Sequence, residues 1–199
     1  MNDLIYCPLC KSSNTKKYSK YNSIPTFFSV EWLYNCNICQ LIFAQPMPSD
    51  KELYSWYSSS LHNRNQPDPN SAEAIDFSKK LHSTRIELLL EYIDFDSINS
   101  VLDVGAGNAQ FGFVLKKLYP KINYNTVELD KSLINKYGSW VNNNYIEIDS
   151  IVNKYDLVIL NQVLEHINDP YKYLNKISSL MKKNSNIYVD TPYKDYLFK

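Results

Sequence analysis

Val101-Leu102-Asp103-Val104-Gly105-Ala106-Gly107-Asn108-Ala109-Gln110-Phe111-Gly112 decides the fold. A short apolar strand carrying one acid runs into two glycines and then into a helical pattern. Such a turn aims backbone N–H groups and a helix N-terminus at a small polar or anionic ligand. The chain has four glycines, Gly105, Gly107, Gly112 and Gly138, and three of them fall in this stretch. The competing reading, a tight strand-to-helix turn with no ligand, leaves that concentration and the nearby Asp103 unexplained.

Downstream segments extend the pattern. Lys121 to Asp130 reads as a second strand ending in Glu128, 21 residues after Gly107. An acid leaving the next parallel strand beside a glycine turn can accept both hydroxyls of a ribose. Asn144 to Ile148 reads as a third strand, followed by Asp149. The fourth, Tyr155 to Asn161, leads into Gln162-Val163-Leu164-Glu165-His166-Ile167-Asn168-Asp169-Pro170. Taken singly, Glu128 and Asp149 read as solvated strand ends; their register with the glycine turn makes them site candidates.

These residues resemble the class I S-adenosylmethionine (SAM) methyltransferases, whose first motif is a strand followed by (D/E)-x-G-x-G-x-G. Ala109 stands where that pattern has its third glycine. Leu164 to Pro170 resembles the L-E-H-(I/V)-x-D-P signature of many small-molecule and sugar methyltransferases. The resemblance covers roughly residues 72 to 193 and implies an α/β, Rossmann-like sheet. It implies SAM as cofactor, held by Asp103, Gly105, Ala106, Gly107, Glu128, Leu129 and Asn161, with Asp149 near the adenine amino group. It also implies His166 as a general base and Tyr193 as a second candidate; the alternative for His166 is a helix-start residue bonded to backbone. Gln162 stands where related quinone-pathway enzymes often carry an acid, so no catalytic metal is expected.

All four cysteines lie near the N-terminus, as Cys7-Pro8-Leu9-Cys10 and Cys36-Asn37-Ile38-Cys39. Two C-x2-C knuckles can close one tetrahedral site of four thiolates, which points to a structural zinc in a zinc ribbon. Two disulfides are the competing reading; they fit poorly with a chain in which no export signal is read. Four thiolates leave no open coordination position, so the metal is expected to fold the module rather than catalyse. The module is expected to pack on the catalytic domain or to cover its substrate entrance.

Composition narrows the partners. Formal net charge is zero, and Arg64 and Arg85 are the two arginines. Arginine is the preferred side chain for phosphate and guanine contacts, so its scarcity argues against a nucleic-acid substrate. No long apolar run and no signal-peptide pattern appear, so no membrane partner and a cytoplasmic location are expected.

The expected organisation is a zinc-ribbon module over 1–45, a helical linker or lid over 46–95 and a SAM-binding domain over 96–199. Ser49 or Asp50 is expected to cap a short helix through Tyr57, with Tyr54, Trp56 and Tyr57 read as interdomain packing and a substrate wall as the competing reading. Pro67 and Pro69 mark an irregular loop over 58–70, a candidate lid. An amphipathic helix is expected over 71–93, with His82 and Arg85 read as solvated residues of its polar face and, as the competing reading, as residues that face the site. Strands 101–104, 122–128, 145–148, 156–160 and 187–190 alternate with helices 110–118, 131–141 and 170–182. The family's sheet has seven strands and the pattern here ends after the fifth, so a homodimer or a further C-terminal segment is expected to cover the edge. The leading function is methylation of a small molecule, with a nucleotide-linked sugar or polysaccharide precursor as acceptor. The competing functions are a noncatalytic SAM-fold partner subunit and a zinc-ribbon nucleic-acid methyltransferase.

Overall fold

The computed structural model describes residues 4–21, 29–57 and 71–192. The expected loop over 58–70 and Tyr193 lie outside them.

Two sheets organise these residues. The first is antiparallel, in the order β1 (Thr15–Lys20), β2 (Trp32–Cys36) and β3 (Ile42–Gln45). It carries the second knuckle in the β2–β3 turn. The next element, α1 (Asp50–Tyr57), starts with a capping box: Ser49 N donates to Glu52 Oε2 at 2.8 Å, and Glu52 N donates to Ser49 Oγ at 3.3 Å.

The second sheet is parallel and five-stranded. Its strands are β4 (Ser100–Val104), β5 (Asn123–Val127), β6 (Asn143–Tyr145), β7 (Tyr155–Asn161) and β8 (Met181–Asp190), arranged β6-β5-β4-β7-β8. The chain order reverses between β4 and β7, and ligands bind at the carboxyl ends of strands beside such a reversal. Strand residues divide by parity. Val101, Tyr124, Leu157 and Ile159 enter a core with Ile86 and Phe111, from α2 (Ala72–Leu89) and α3 (Gln110–Leu118). Leu102, Val104, Val158 and Leu160 enter the opposite core with Ile177 of α5 (Pro170–Ser179). Burial on both faces explains why the middle of β7, Leu157 to Leu160, reads as an unbroken apolar run.

Three boundaries differ from the sequence expectation. The helix expected over 131–141 is one turn, α4 (Lys131–Ile134), followed by shorter-range turns up to Gly138 and Val141. Strand β6 lies two residues earlier than expected and is built from asparagines. Asn143 Nδ2 donates to Asn125 Oδ1 at 2.7 Å and Thr126 Oγ1 donates to Asn144 Oδ1 at 2.7 Å, so polar ladders replace strand propensity. Helix α5 ends at Ser179, and β8 begins at Met181 with an irregularity: Tyr155 pairs with Met181 but Leu157 with Asn186. The expected strand 187–190 lies within the portion paired beyond that bulge.

Candidate functional site

Gly105 and Gly107 turn the chain at φ +68° and +55°, a region that L side chains occupy only with strain. The turn is tied to β5, since Gly105 N and Ala106 N both donate to Val127 O, at 2.8 and 3.2 Å. A Cβ on Gly105 would lie 2.6 Å from a Val163 methyl, whereas nothing lies within 4 Å of one on Gly107. Open space therefore fronts Gly107.

Glu128 is fixed beside it. Gly107 N donates to Glu128 Oε2 at 2.8 Å and Asp130 N donates to Oε1 at 2.9 Å. Each oxygen retains acceptor capacity for a ligand hydroxyl. The hydroxyl of Tyr137, from the segment expected to be helix, donates to Gly107 O. Ala109 sits at φ +55° as the N-cap of α3, so it occupies with a methyl the left-handed position at which the family pattern has glycine.

Asp103 lies beneath the turn and is buried. The Tyr124 hydroxyl donates to its Oδ2. Burial pushes the Asp103 carboxyl up to about 7 against the pull of that hydrogen bond, and the charge of Glu128 adds to the rise. Asp149 lies on an exposed 3-10 turn after β6 and ion-pairs with Lys176 of α5. Leu129 follows Glu128 at the loop leaving β5.

The β7 end closes the other side. Asn161 Oδ1, Gln110 Oε1 and His82 Nδ1 are buried without hydrogen-bond partners. Unpaired buried polar atoms each cost about 1–3 kcal/mol, a pattern associated with ligand sites. His82 packs edge-on to Phe111 in the first turn of α3, with ring centroids 5.7 Å apart, and burial drives its imidazole down to about 4, aided by Arg85. Arg85 Nη2 donates to Asp190 Oδ2 at 2.6 Å. Neither residue is the solvated polar-face side chain expected from helical periodicity. Asp190 also receives Gln162 N on its carbonyl at 2.7 Å and Gln162 Nε2 on Oδ1 at 3.2 Å, holding Gln162 at φ +57°.

His166 ends a 3-10 turn, Leu164–His166. Its Nδ1 lies 2.7 Å from the Tyr57 hydroxyl and its Nε2 4.0 Å from Glu165 Oε1. Tyr57, expected to pack, therefore touches a candidate site residue. Sequence reasoning also missed Asp190 and Gln110. The rarity of arginine was the available signal for the Arg85–Asp190 pair.

At the cysteines, Sγ atoms of Cys7 and Cys39 are 3.5 Å apart, as are those of Cys10 and Cys36, and all four lie within 4.8 Å of one another. The cysteines are free rather than disulfide-bonded. Tetrahedral zinc with Zn–S of ~2.3 Å requires S–S separations of about 3.8 Å, so the donor set fits. The Cys39 amide is the main influence pulling Cys36 down to about 7, while burial pushes Cys39 up to about 12. The knuckles are near copies. Lys11 N donates to Cys7 O at 3.0 Å and Gln40 N to Cys36 O at 2.9 Å, with φ at +59° and +63°.

Comparison with known proteins agrees with this architecture. The fold is similar to a plantazolicin methyltransferase, BpumL, solved with a pentazolic desmethylPZN analog and S-adenosylhomocysteine (SAH): TM-score 0.53, 17% identity, covering 74% of this chain and 62% of that one. It is also similar to an O-methyltransferase family protein from Burkholderia thailandensis, at TM-score 0.51 and 15% identity, covering 72% and 48% respectively. The chain thus spans less than two thirds of the length of either protein. No curated protein sequence matches it. Among the described residues no helix is long and apolar enough to cross a membrane. A methyltransferase-domain model matches residues 69–198, from just before α2 to beyond β8, and the chain belongs to that family.

Proposed function

We propose that this chain is a SAM-dependent methyltransferase acting on a small molecule, with a nucleotide-linked sugar or polysaccharide precursor as acceptor. The observation that carries the reading is the Gly107–Glu128 pair, an amide and a carboxylate locked together beside open space. Bound SAM supplies a methyl group already made electrophilic by its sulfonium, so the protein's main task is alignment. Glu128 receives the ribose hydroxyls, the Gly105–Gly107 turn lies against the cofactor, and Asp103 supports that turn from below. Asn161 and Gln110 offer unpaired acceptors to polar groups of the bound molecules. His166 takes the acceptor's proton, a role typically worth about 10²–10⁴-fold; Tyr193 is the second candidate. Asp149 is assigned to the adenine side, which requires it to leave Lys176.

The sugar assignment rests on the resemblance of the four-cysteine extension to those on methyltransferases that modify nucleotide-linked sugars, and on scarce arginine and zero net charge, which disfavour nucleic acid. Cys7, Cys10, Cys36 and Cys39 hold a structural zinc, which suits a reducing, cytoplasmic setting. The reading divides the chain into a zinc module over 1–45, a linker over 46–95 and a SAM-binding domain over 96–199, with a homodimer or a further C-terminal segment covering the β8 edge.

Calorimetric titration of the zinc-loaded chain with SAH, with Glu128→Ala as control, tests the reading. Micromolar-range binding lost in the variant supports it and justifies screening nucleotide sugars for methyl transfer. A folded chain that does not bind SAH overturns it in favour of a noncatalytic subunit.

A further inference from the structure

Two contacts join the cysteine-bearing part of the chain to the segment after β7. Lys11, the residue following Cys10, reaches Asp169: Nζ lies 2.9 Å from Oδ1 and 5.7 Å from the centroid of the Tyr171 ring. Asp169 Oδ1 also accepts from Lys172 N at 3.1 Å, so the atom that caps α5 is the atom that Lys11 holds. Three residues earlier, His166 meets Tyr57, the last residue of α1, with rings 4.7 Å apart in addition to the 2.7 Å hydrogen bond. Helix α1 begins shortly after β3, and Lys11 belongs to the first knuckle's own turn. One anchor therefore comes from the first knuckle and the other from the linker helix that follows the cysteine module, and both grip the same short segment.

We propose that Lys11, from the metal-closed cysteine module, and Tyr57, from the linker helix α1, are positioning residues that fix the place and the tautomer of His166. The inference rests on the reading of His166 as the base. For His166 to take a proton through Nε2, its ring hydrogen sits on Nδ1 and donates to the Tyr57 oxygen 2.7 Å away. A Tyr57 hydroxyl that donates to Nδ1 instead leaves the hydrogen on Nε2, beside Glu165 Oε1 at 4.0 Å. The arrangement is analogous to the way an acceptor on one imidazole nitrogen orients the other for proton transfer. Lys11 serves at a distance, by keeping Asp169 and the start of α5 where the turn carrying His166 must end. A half-exposed ion pair of this kind contributes little to global stability, so its effect is local ordering.

The test uses the full, zinc-loaded chain with ¹⁵N-labelled histidine, the His166 signals being assigned through His166→Gln. The expected result is an Nδ1–H tautomer in the parent chain, shifting toward Nε2–H in Tyr57→Phe. Amide exchange over 167–171 is expected to accelerate about fivefold in Lys11→Met and to return in Lys11→Arg, with one zinc per chain throughout. An Nε2–H tautomer in the parent chain, or unchanged exchange in Lys11→Met, overturns the proposal. SAH affinity, measured alongside, separates this outcome from failure of the methyltransferase reading, which is marked by absence of SAH binding in the parent chain.

Discussion

Tyr124 reaches Asp103 through space that Gly112 leaves empty. A Cβ on Gly112 would lie 2.2 Å from Tyr124 Cε1, so the third glycine of the motif region is a packing glycine that admits a ring rather than a cofactor. Gly112→Ala is expected to destabilise the fold by about 1–3 kcal/mol through overpacking. Tyr124→Phe is expected to cost a similar amount, about 1–3 kcal/mol, by leaving a buried carboxyl without its donor. Urea unfolding of the two variants checks both values.

The same carboxyl sets a pH dependence. Its folded value, about 7, lies above the ordinary 3.8, so the folded state binds the extra proton between these limits. Its contribution to stability is then fully present at the low end of that window and is lost as pH rises toward 7, with a limiting slope of about 1.4 kcal/mol per pH unit. Asp103→Asn should remove this component. Denaturation midpoints of the parent and the variant, compared from pH 4 to 8, should diverge up to about pH 7 and then level off.

Gly107→Ala separates folding from binding. The left-handed φ costs an alanine about 1–2 kcal/mol, with no clash to add to it. The new methyl enters the open space fronting Gly107, against which the cofactor is proposed to lie, so SAH affinity is expected to fall at least about tenfold, the equivalent of about 1.4 kcal/mol. Calorimetry and thermal melts on the same sample distinguish the two effects.

Asp190 offers a graded pair. Asp190→Ala strands Arg85 and removes the acceptor of the Gln162 side chain, leaving the backbone bond from Gln162 N in place, and is expected to cost about 2–3 kcal/mol, in the range of hydrogen bonds to charged groups. Asp190→Asn retains an oxygen for Gln162 and is expected to cost less. Melting temperatures of the two variants should rank in that order.

Cys10→Ser is expected to lower zinc affinity sharply, because three thiolates and a hydroxyl make a poorer site than four thiolates. Native mass spectrometry should show one zinc per parent chain, and chelation should unfold β1–β3 while the parallel sheet retains its circular dichroism.

The parallel sheet was legible because its signals are local. The run from Leu157 to Leu160 is apolar as a doubly covered strand must be, and Ser71 caps α2 where the pattern began, its Oγ accepting from Ala74 N at 3.2 Å. The misplacements fell where tertiary partners override propensity. Asn143 and Asn144 make a strand through side-chain ladders, and the segment after Ile134 leaves the helix, allowing Tyr137 to reach the Gly107 carbonyl. Among candidate site residues, Glu128 could be placed beside Gly107 by spacing alone. Arg85, Asp190 and Tyr57 could not, since each meets its partner across roughly a hundred residues of chain.

The duplicated knuckle turn has a further implication. Lys11 and Gln40 share one backbone geometry, yet Lys11 reaches across to α5, while Gln40 Nε2 bonds within its own turn to Asn37 O at 3.0 Å. The two halves of the metal site thus form a natural internal control. Whatever both positions tolerate reports on holding the metal, and whatever only position 11 demands reports on communication with the sheet. Exchanging the two side chains would invert that polarity within an otherwise unchanged turn.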